Sequence, residues 1–284
     1  MVVVTGGTGY VGRAVQEALL EDGFTVRVVA RHGQPVSSEA EMVRVDLTVD
    51  PVDGIFNGAQ AVVHLVGIID EDPSRNVTFE RIHVELTRRI LEGIERLSIG
   101  RYIHMSALGT AAHARSRYHQ TKWQAEQMVR GTHDVQWTIL RPSLMFGGGA
   151  TFFKMLARQA KWPVTPVPGD GRARFQPIYY CDVARFISKS LRSGQTFGQT
   201  YEMGGPQQFT LDELYTLAAR PHRPVLQHIP LAWLMRLARL GQHLPRFPVS
   251  VDQLIMLGIP NVTDDVRWMS LADTATPLSS NLLP

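Results

Sequence analysis

Met1-Val-Val-Val-Thr5-Gly6-Gly7-Thr8-Gly9-Tyr10-Val11-Gly12-Arg13 is the stretch that decides the fold of this chain. A run of valines opens it and a glycine pair breaks it. Val11, Val15, Ala18 and Leu19 then recur at helical spacing, so the stretch reads as strand, tight turn, helix. Gly6, Gly9 and Gly12 form a G-x-x-G-x-x-G pattern. Missing side chains at that spacing permit the turn, let a pyrophosphate approach the backbone and let the helix sit close on the strand. The unpaired N–H groups and positive dipole end of the helix favour phosphate at the same place.

A tight turn that binds nothing would carry the same glycines, so the residues that follow matter. Leu20-Glu-Asp-Gly23 closes the helix, and Phe24-Thr-Val-Arg-Val-Val-Ala30 reads as a second strand. Together they complete the βαβ unit of about thirty residues that a dinucleotide fingerprint requires. Arg31 ends the second strand, where a carboxylate suits a ribose 2′-hydroxyl and an arginine suits a 2′-phosphate. NADP(H) is therefore expected over NAD(H), the other reading of Arg31 being a solvated turn residue.

Composition narrows the class. A chain of 284 residues can form one large domain or a large and a small one. No apolar run reaches the roughly 18 residues of a membrane span, and no signal peptide precedes the first strand. The single cysteine, Cys181, excludes an internal disulfide and suits a reducing cytoplasm. Net charge is +3, but only four of the 29 basic residues are lysine and they are scattered, which is not a nucleic-acid footprint. No metal site is expected.

Farther along, Met42–Leu47 reads as a short third strand, with no room for a full helix before it. Ala61–Gly67 is a continuous apolar run of the kind a doubly covered parallel strand shows, with His64 inside it as a packed core residue. Phe79, Ile82, Leu86, Ile90, Leu91 and Ile94 give one long helix over about 77–97. Strand 101–106, helix 118–131 and strand 135–142 follow. This alternation predicts an α/β, doubly wound parallel sheet of the Rossmann type. Its core covers 1–145; residues 146–284, rich in glycine and proline, form mainly a smaller C-terminal lobe on the substrate side and a tail. Segments near 176–190 and 200–204 return to the core.

Tyr118 and Lys122 lie four apart on one face of a predicted helix. A nearby ammonium lowers a phenol's pKa, so Tyr118 can exchange a proton near neutral pH, while Ser106 at the end of a strand can orient the reacting oxygen. These three are the candidate catalytic residues. The alternative is that Lys122 only holds a cofactor ribose and Tyr118 does no chemistry.

With these residues in order, the chain resembles the extended short-chain dehydrogenases/reductases: Thr5–Gly12, Asp46-Leu47, Ser106, Tyr118-x-x-x-Lys122, Arg141-Pro142-Ser143 and Asp182-Val183-Ala184 follow the family's sequence of motifs. The resemblance implies that Gly6, Thr8, Gly9, Tyr10, Val11 and Gly12 meet the pyrophosphate. It further implies that Asp46 and Leu47 flank the adenine, that Val66 and Gly67 lie against the adenosine ribose, that Lys122 holds the nicotinamide ribose and that Pro142 to Leu144 border the nicotinamide. One departure stands out. His83 occupies the position of the family's asparagine, which maintains a helix irregularity and a proton-relaying water, so its replacement bears on turnover more than on binding. With His104–Gly109 and the tail, it marks an atypical subgroup similar to the dehydrogenase-like accessory subunit of respiratory complex I and its bacterial relatives.

Two functions stay open on these grounds: an oxidoreductase or nucleotide-sugar epimerase/dehydratase, or a protein whose NADPH is structural or a redox signal. The small-molecule substrate is not identified, although Arg172, Arg174, Gln176 and Tyr179 stand where the family's substrate loop lies. In the tail, Pro230 can start a helix over 229–246. That helix would set Leu231, Leu234, Met235, Leu237 and Ala238 on an apolar side and Arg236, Arg239 and His243 on a basic one. It is expected either to be a lobe helix with a solvated basic face or to meet an anionic membrane surface or an acidic partner.

Overall fold

The computed structural model describes residues 1–241 and 250–283. Seven strands, β1 (Val2–Thr5), β2 (Val26–Ala30), β3 (Glu41–Arg44), β4 (Ala61–His64), β5 (Arg101–Met105), β6 (Gln136–Pro142) and β7 (Gln199–Met203), form one sheet. They lie in the order 3-2-1-4-5-6-7, every pair parallel. The order reverses between β1 and β4, which opens a crevice outside their carboxyl ends.

Among the described residues there are nine α-helices, in chain order α1 (Tyr10–Glu21), α2 (Leu86–Arg96), α3 (Arg117–Arg130), α4 (Thr151–Gln159), α5 (Tyr180–Ser190), α6 (Leu211–Ala218), α7 (Leu231–Gly241), α8 (Val251–Leu257) and α9 (Met269–Ala272). Alternation along the strands builds a core on each face of the sheet. Val2, Val4, Val28 and Val63 pack with Val15 and Leu19 of α1 and with Val183 and Phe186 of α5. Val3, Val29, Val62 and Tyr102 pack with Leu86, Ile90 and Ile94 of α2. Phe146, Phe153, Leu156, Phe175, Leu214 and Tyr215 form a third core within the lobe.

Three differences from the sequence reading have physical causes. The helix expected over 77–97 begins as a π-helical stretch, Glu80–Glu85, and becomes α-helical at Leu86. Apolar periodicity does not register the wider turn, because one face stays apolar through it. A further segment, beyond 176–190 and 200–204, reaches the sheet: buried Trp268 and Ala272 join the core beneath α5.

The third concerns α7. Ala238 is buried and Leu231, Leu234 and Met235 are half-buried, but Leu237 is 54% exposed, with Trp233 at 62% and Leu240 at 76%. The helix carries two apolar stripes and packs only one. His243, the last member of the expected basic face, lies outside the described residues, as does the rest of 242–249. Among the described residues no helix is long and apolar enough to cross a membrane.

Candidate cofactor and catalytic site

The glycine turn sits at the sheet's crevice, and each glycine answers a different constraint. Gly6 has φ +72°, and a Cβ there would lie 3.1 Å from Val66 Cγ2. A Cβ on Gly12 would lie 2.3 Å from the Gly7 carbonyl oxygen, so only glycine lets α1 sit this close to β1. At Gly9 an added Cβ meets only the Gly6 oxygen, at 3.1 Å, and the position is exposed. Gly9 is the N-cap of α1 and no side chain caps the helix, which leaves its first N–H groups directed outward for an anion.

Gln16, fully buried, braces this turn: its amide donates to the Gly7 carbonyl at 2.8 Å and its oxygen accepts from Val36 N at 2.9 Å. The loop after β2 is thereby drawn to the glycines, with Gly33 packed against Thr8. Val11 packs against the core beneath α1, and Tyr10 stacks on Tyr180 at 4.8 Å.

Arg31 leaves the end of β2 half-exposed, its Nη1 3.9 Å from Asp46 Oδ2. Asp46 Oδ1 accepts from the Thr48 amide at 2.9 Å and hydroxyl at 2.7 Å. Burial raises the carboxyl, but those bonds with Arg31 and Arg81 outweigh it and hold the pKa below the usual carboxylate value. Leu47 is 6% exposed within the core toward α2, which leaves its backbone rather than its side chain to border a ligand.

Lys122 is buried on the second turn of α3. Its Nζ donates to the Met105 carbonyl at 2.9 Å and lies 3.1 Å from where a Cβ on Gly67 would be, so the end of β5, the loop after β4 and α3 converge on the ammonium. Burial pulls its pKa down to about 8, with Glu126 pulling the other way. Tyr118, one turn earlier, is half-buried among Phe79, His83 and His119, whose rings meet it edge-on at 5.1–5.9 Å. Here the expectation needs correcting. Burial pushes the phenol up to about 12, and the lysine does not offset it because its ammonium is turned to the Met105 carbonyl. Tyr118 is therefore protonated at neutral pH.

Ser106 stands just past the end of β5, with its hydroxyl engaged by other side chains. Its hydroxyl is 3% exposed, donates to Glu126 Oε1 at 2.6 Å and lies 3.3 Å from Thr110 Oγ1. Glu126 is a fully buried carboxylate that also receives Arg141 at 2.7–2.8 Å and Arg130 at 3.3 Å, and a buried charge draws in every donor within reach. That demand orients the serine. Gln176 is likewise committed, donating to the Gly205 carbonyl and accepting from Thr263 N, each at 2.8 Å. Pro142 is buried at the end of β6 and Leu144 half-buried just beyond it, while Arg172 and Arg174 are exposed.

The π-helical turn holds His83 against two elements at once. Its Nδ1 lies 2.9 Å from Thr121 Oγ1, and its Nε2 lies 3.1 Å from Ile68 O and 3.2 Å from Ile68 N. Burial and the Lys122 charge keep the ring neutral. The helix irregularity thus persists without asparagine, braced by a histidine that spans from the loop after β4 to α3.

A glycine turn at a β1/β4 crevice, with a lysine–tyrosine pair across it, defines a nucleotide-binding protein of the extended short-chain dehydrogenase/reductase kind. The chain belongs to the NAD dependent epimerase/dehydratase family, whose profile matches residues 2–204. It is 30% identical over 276 residues to the Arabidopsis thaliana NADH dehydrogenase (ubiquinone) 1 alpha subcomplex subunit 9, mitochondrial, covering 90% of this chain and 68% of that protein. It is 32% identical over 177 residues to the ceramide reductase of Caulobacter vibrioides, covering 59% of this chain and 53% of the other. The solved structure of MoeE5 in complex with UDP-glucose and NAD shares the fold, with TM-score 0.75 and 19% identity over 99% of this chain and 95% of that one.

Proposed function

We propose that the protein binds NADP(H) and reduces or oxidises a small carbonyl or alcohol substrate, with Tyr118 as the proton-exchanging residue. The observation that carries this reading is the convergence of Lys122 Nζ, Gly67 and the end of β5 beside Tyr118, across the crevice from the open N-terminus of α1. Gly9 and the α1 N–H groups would take the pyrophosphate, Arg31 a 2′-phosphate, and Lys122 the nicotinamide ribose. When bound, the nicotinamide supplies or accepts the hydride. Tyr118, protonated at neutral pH, is set up as an acid: its proton goes to the substrate oxygen as the carbonyl carbon is reduced. The same site running in reverse oxidises an alcohol, and running both ways on one sugar it epimerises.

Titration with NADPH and NADH, with Arg31→Ala alongside, tests the cofactor. At least about tenfold preference for NADPH, lost in the variant, is expected from a charge-assisted contact, and equal affinities in the unmutated protein remove the NADP assignment. Oxidation of NADPH by a carbonyl panel, abolished by Tyr118→Phe, tests the chemistry.

A second reading, a non-catalytic NADPH-binding accessory or redox-sensing protein, is favoured by α7. Trp233, Leu237 and Leu240 lie outward at i, i+4 and i+7 with Arg236 and Arg239 beside them, the pattern of a helix that rests on an anionic membrane surface or a partner.

A further inference from the structure

The first turn of α3 is closed from far away in the chain. Ser116, the N-cap, accepts from His119 N at 3.3 Å, which leaves the N–H groups of Arg117 and Tyr118 without a helical acceptor. Asp252 receives them: its Oδ1 accepts from Arg117 N at 2.6 Å and from Tyr118 N at 3.4 Å, across 135 and 134 residues of sequence. The carboxylate is free to do so because α8 has its own capping box, made by Ser250 and Gln253. A negative charge there also complements the α3 dipole.

Beyond α8, Asn261 gathers the other loops. Its Oδ1 accepts from Ser143 Oγ at 2.6 Å and from Leu144 N at 3.1 Å, and its Nδ2 donates to the Leu108 carbonyl at 3.2 Å. Its backbone bonds Arg174 O at 2.8 Å and Gln176 N at 3.0 Å. The loops after β5 and β6 and the segment 174–176 therefore meet on one residue.

We propose that residues 250–261 are a positioning clamp for the site, Asp252 fixing the main chain of Tyr118 and Asn261 fixing the loops beside it. Asp252 and Asn261 are positioning residues; neither is assigned a proton or a hydride. Only the affinity arm of the test rests on the nucleotide reading above.

Amide hydrogen exchange and NADPH titration on the full chain test this with Asp252→Ala, Asp252→Asn and Asn261→Ala. Asp252→Ala should speed exchange over residues 117–122 by about tenfold, the effect of losing a charge-assisted bond, and leave β1 and β4 unchanged. Asp252→Asn keeps an acceptor oxygen and should restore most of the protection. Asn261→Ala should act on residues 106–110 and 143–146 instead. NADPH affinity should fall at least about threefold in both alanine variants as the site loosens. Unchanged exchange over 117–122, or equal acceleration in β1, overturns the clamp, the second because it marks global destabilisation. If the unmutated protein binds no NADPH, the nucleotide reading falls and the exchange arm still decides the clamp.

Discussion

His83 Nδ1 lies 2.9 Å from Thr121 Oγ1, and this hydrogen bond ties the π-helical turn to α3. On the other side of the ring Nε2 lies 3.1 Å from the Ile68 carbonyl oxygen and 3.2 Å from the Ile68 amide, and the Thr121 hydroxyl lies 3.0 Å from the carbonyls of both Arg117 and Tyr118. The hydroxyl is a two-way joint between the π-helical turn and the first turn of α3. Thr121→Val should leave a buried ring nitrogen without a partner and destabilise the protein by about 1–3 kcal/mol, with Thr121→Ser recovering most of it. Urea unfolding midpoints at unchanged slope measure both.

The glycines separate fold from ligand. Gly12→Ala should destabilise by about 1–3 kcal/mol or more, because the added methyl meets backbone oxygens at 2.3–2.5 Å that cannot move without parting α1 from β1. Gly9→Val should leave the melting temperature nearly unchanged and abolish nucleotide binding, since its side chain would enter the space beside the helix N-terminus. Calorimetric melting and nucleotide titration distinguish them, and a Gly9→Val protein that still binds nucleotide would show that the turn faces something else.

Much of this was legible in the chain itself, and the limits are instructive. The valine run, the glycine spacing and the pair Tyr118 and Lys122 are local patterns, and local patterns report strands, turns and helix faces. Ser106 could not be placed that way, because its orientation is set by Glu126, twenty residues on and on another element. Lys122, Glu126 and Arg130 recur every fourth residue on α3, and that spacing does not show that Glu126 is buried and bonded to Arg141 of β6. Leu237 failed for a related reason: Leu234, Leu237 and Ala238 satisfy helical spacing together, and only packing shows which turn inward. Asp252 and Asn261 carry no local signal at all.

Lys122 makes stability and binding respond oppositely to pH. Its pKa is near 8 folded against an ordinary 10.5, so above pH 8 the unfolded chain holds the proton that the folded one releases, and stability rises with pH through that window. A nucleotide held by the ammonium needs that proton, so affinity should fall as pH rises from 7 to 9.5. Both slopes should vanish in Lys122→Met, measured by denaturant unfolding and nucleotide titration across pH.

His64, His83 and His104 predict sensitivity to acid. All three are buried at the carboxyl end of the sheet beside Lys122, and burial holds each far below the ordinary 6.5, His64 down to about 3. Their neutral forms are intact above pH 6.5. Below it the unfolded chain takes up protons the folded chain refuses, so stability should drop steadily from pH 6.5 toward 4. His64 and His104 occupy paired positions on β4 and β5, and replacing both with asparagine should flatten the slope of unfolding free energy against pH.

Flotation with anionic vesicles at low and moderate salt tests the outer face of α7. Association that weakens with salt, and weakens further in Arg236→Glu with Arg239→Glu, is expected if the helix rests on lipid, because each basic residue near the surface contributes about 1 kcal/mol. Trp233→Ser should reduce it independently of salt. No association with the intact protein leaves α7 a lobe helix with a solvated face.

The arrangement of α7 against α8 joins these threads. Leu231 of α7 packs so tightly on the end of α8 that a methyl at Gly258 would meet its Cδ2 at 2.7 Å, and α8 supplies the carboxylate that holds the amide of Tyr118. The outward stripe of α7 is therefore one helix away from the nucleotide crevice. Thermodynamic linkage runs in both directions along such a path: if seating α7 on a surface changes nucleotide affinity by some factor, nucleotide must change the affinity for that surface by the same factor. The tail would then report the state of the cofactor to whatever the helix touches.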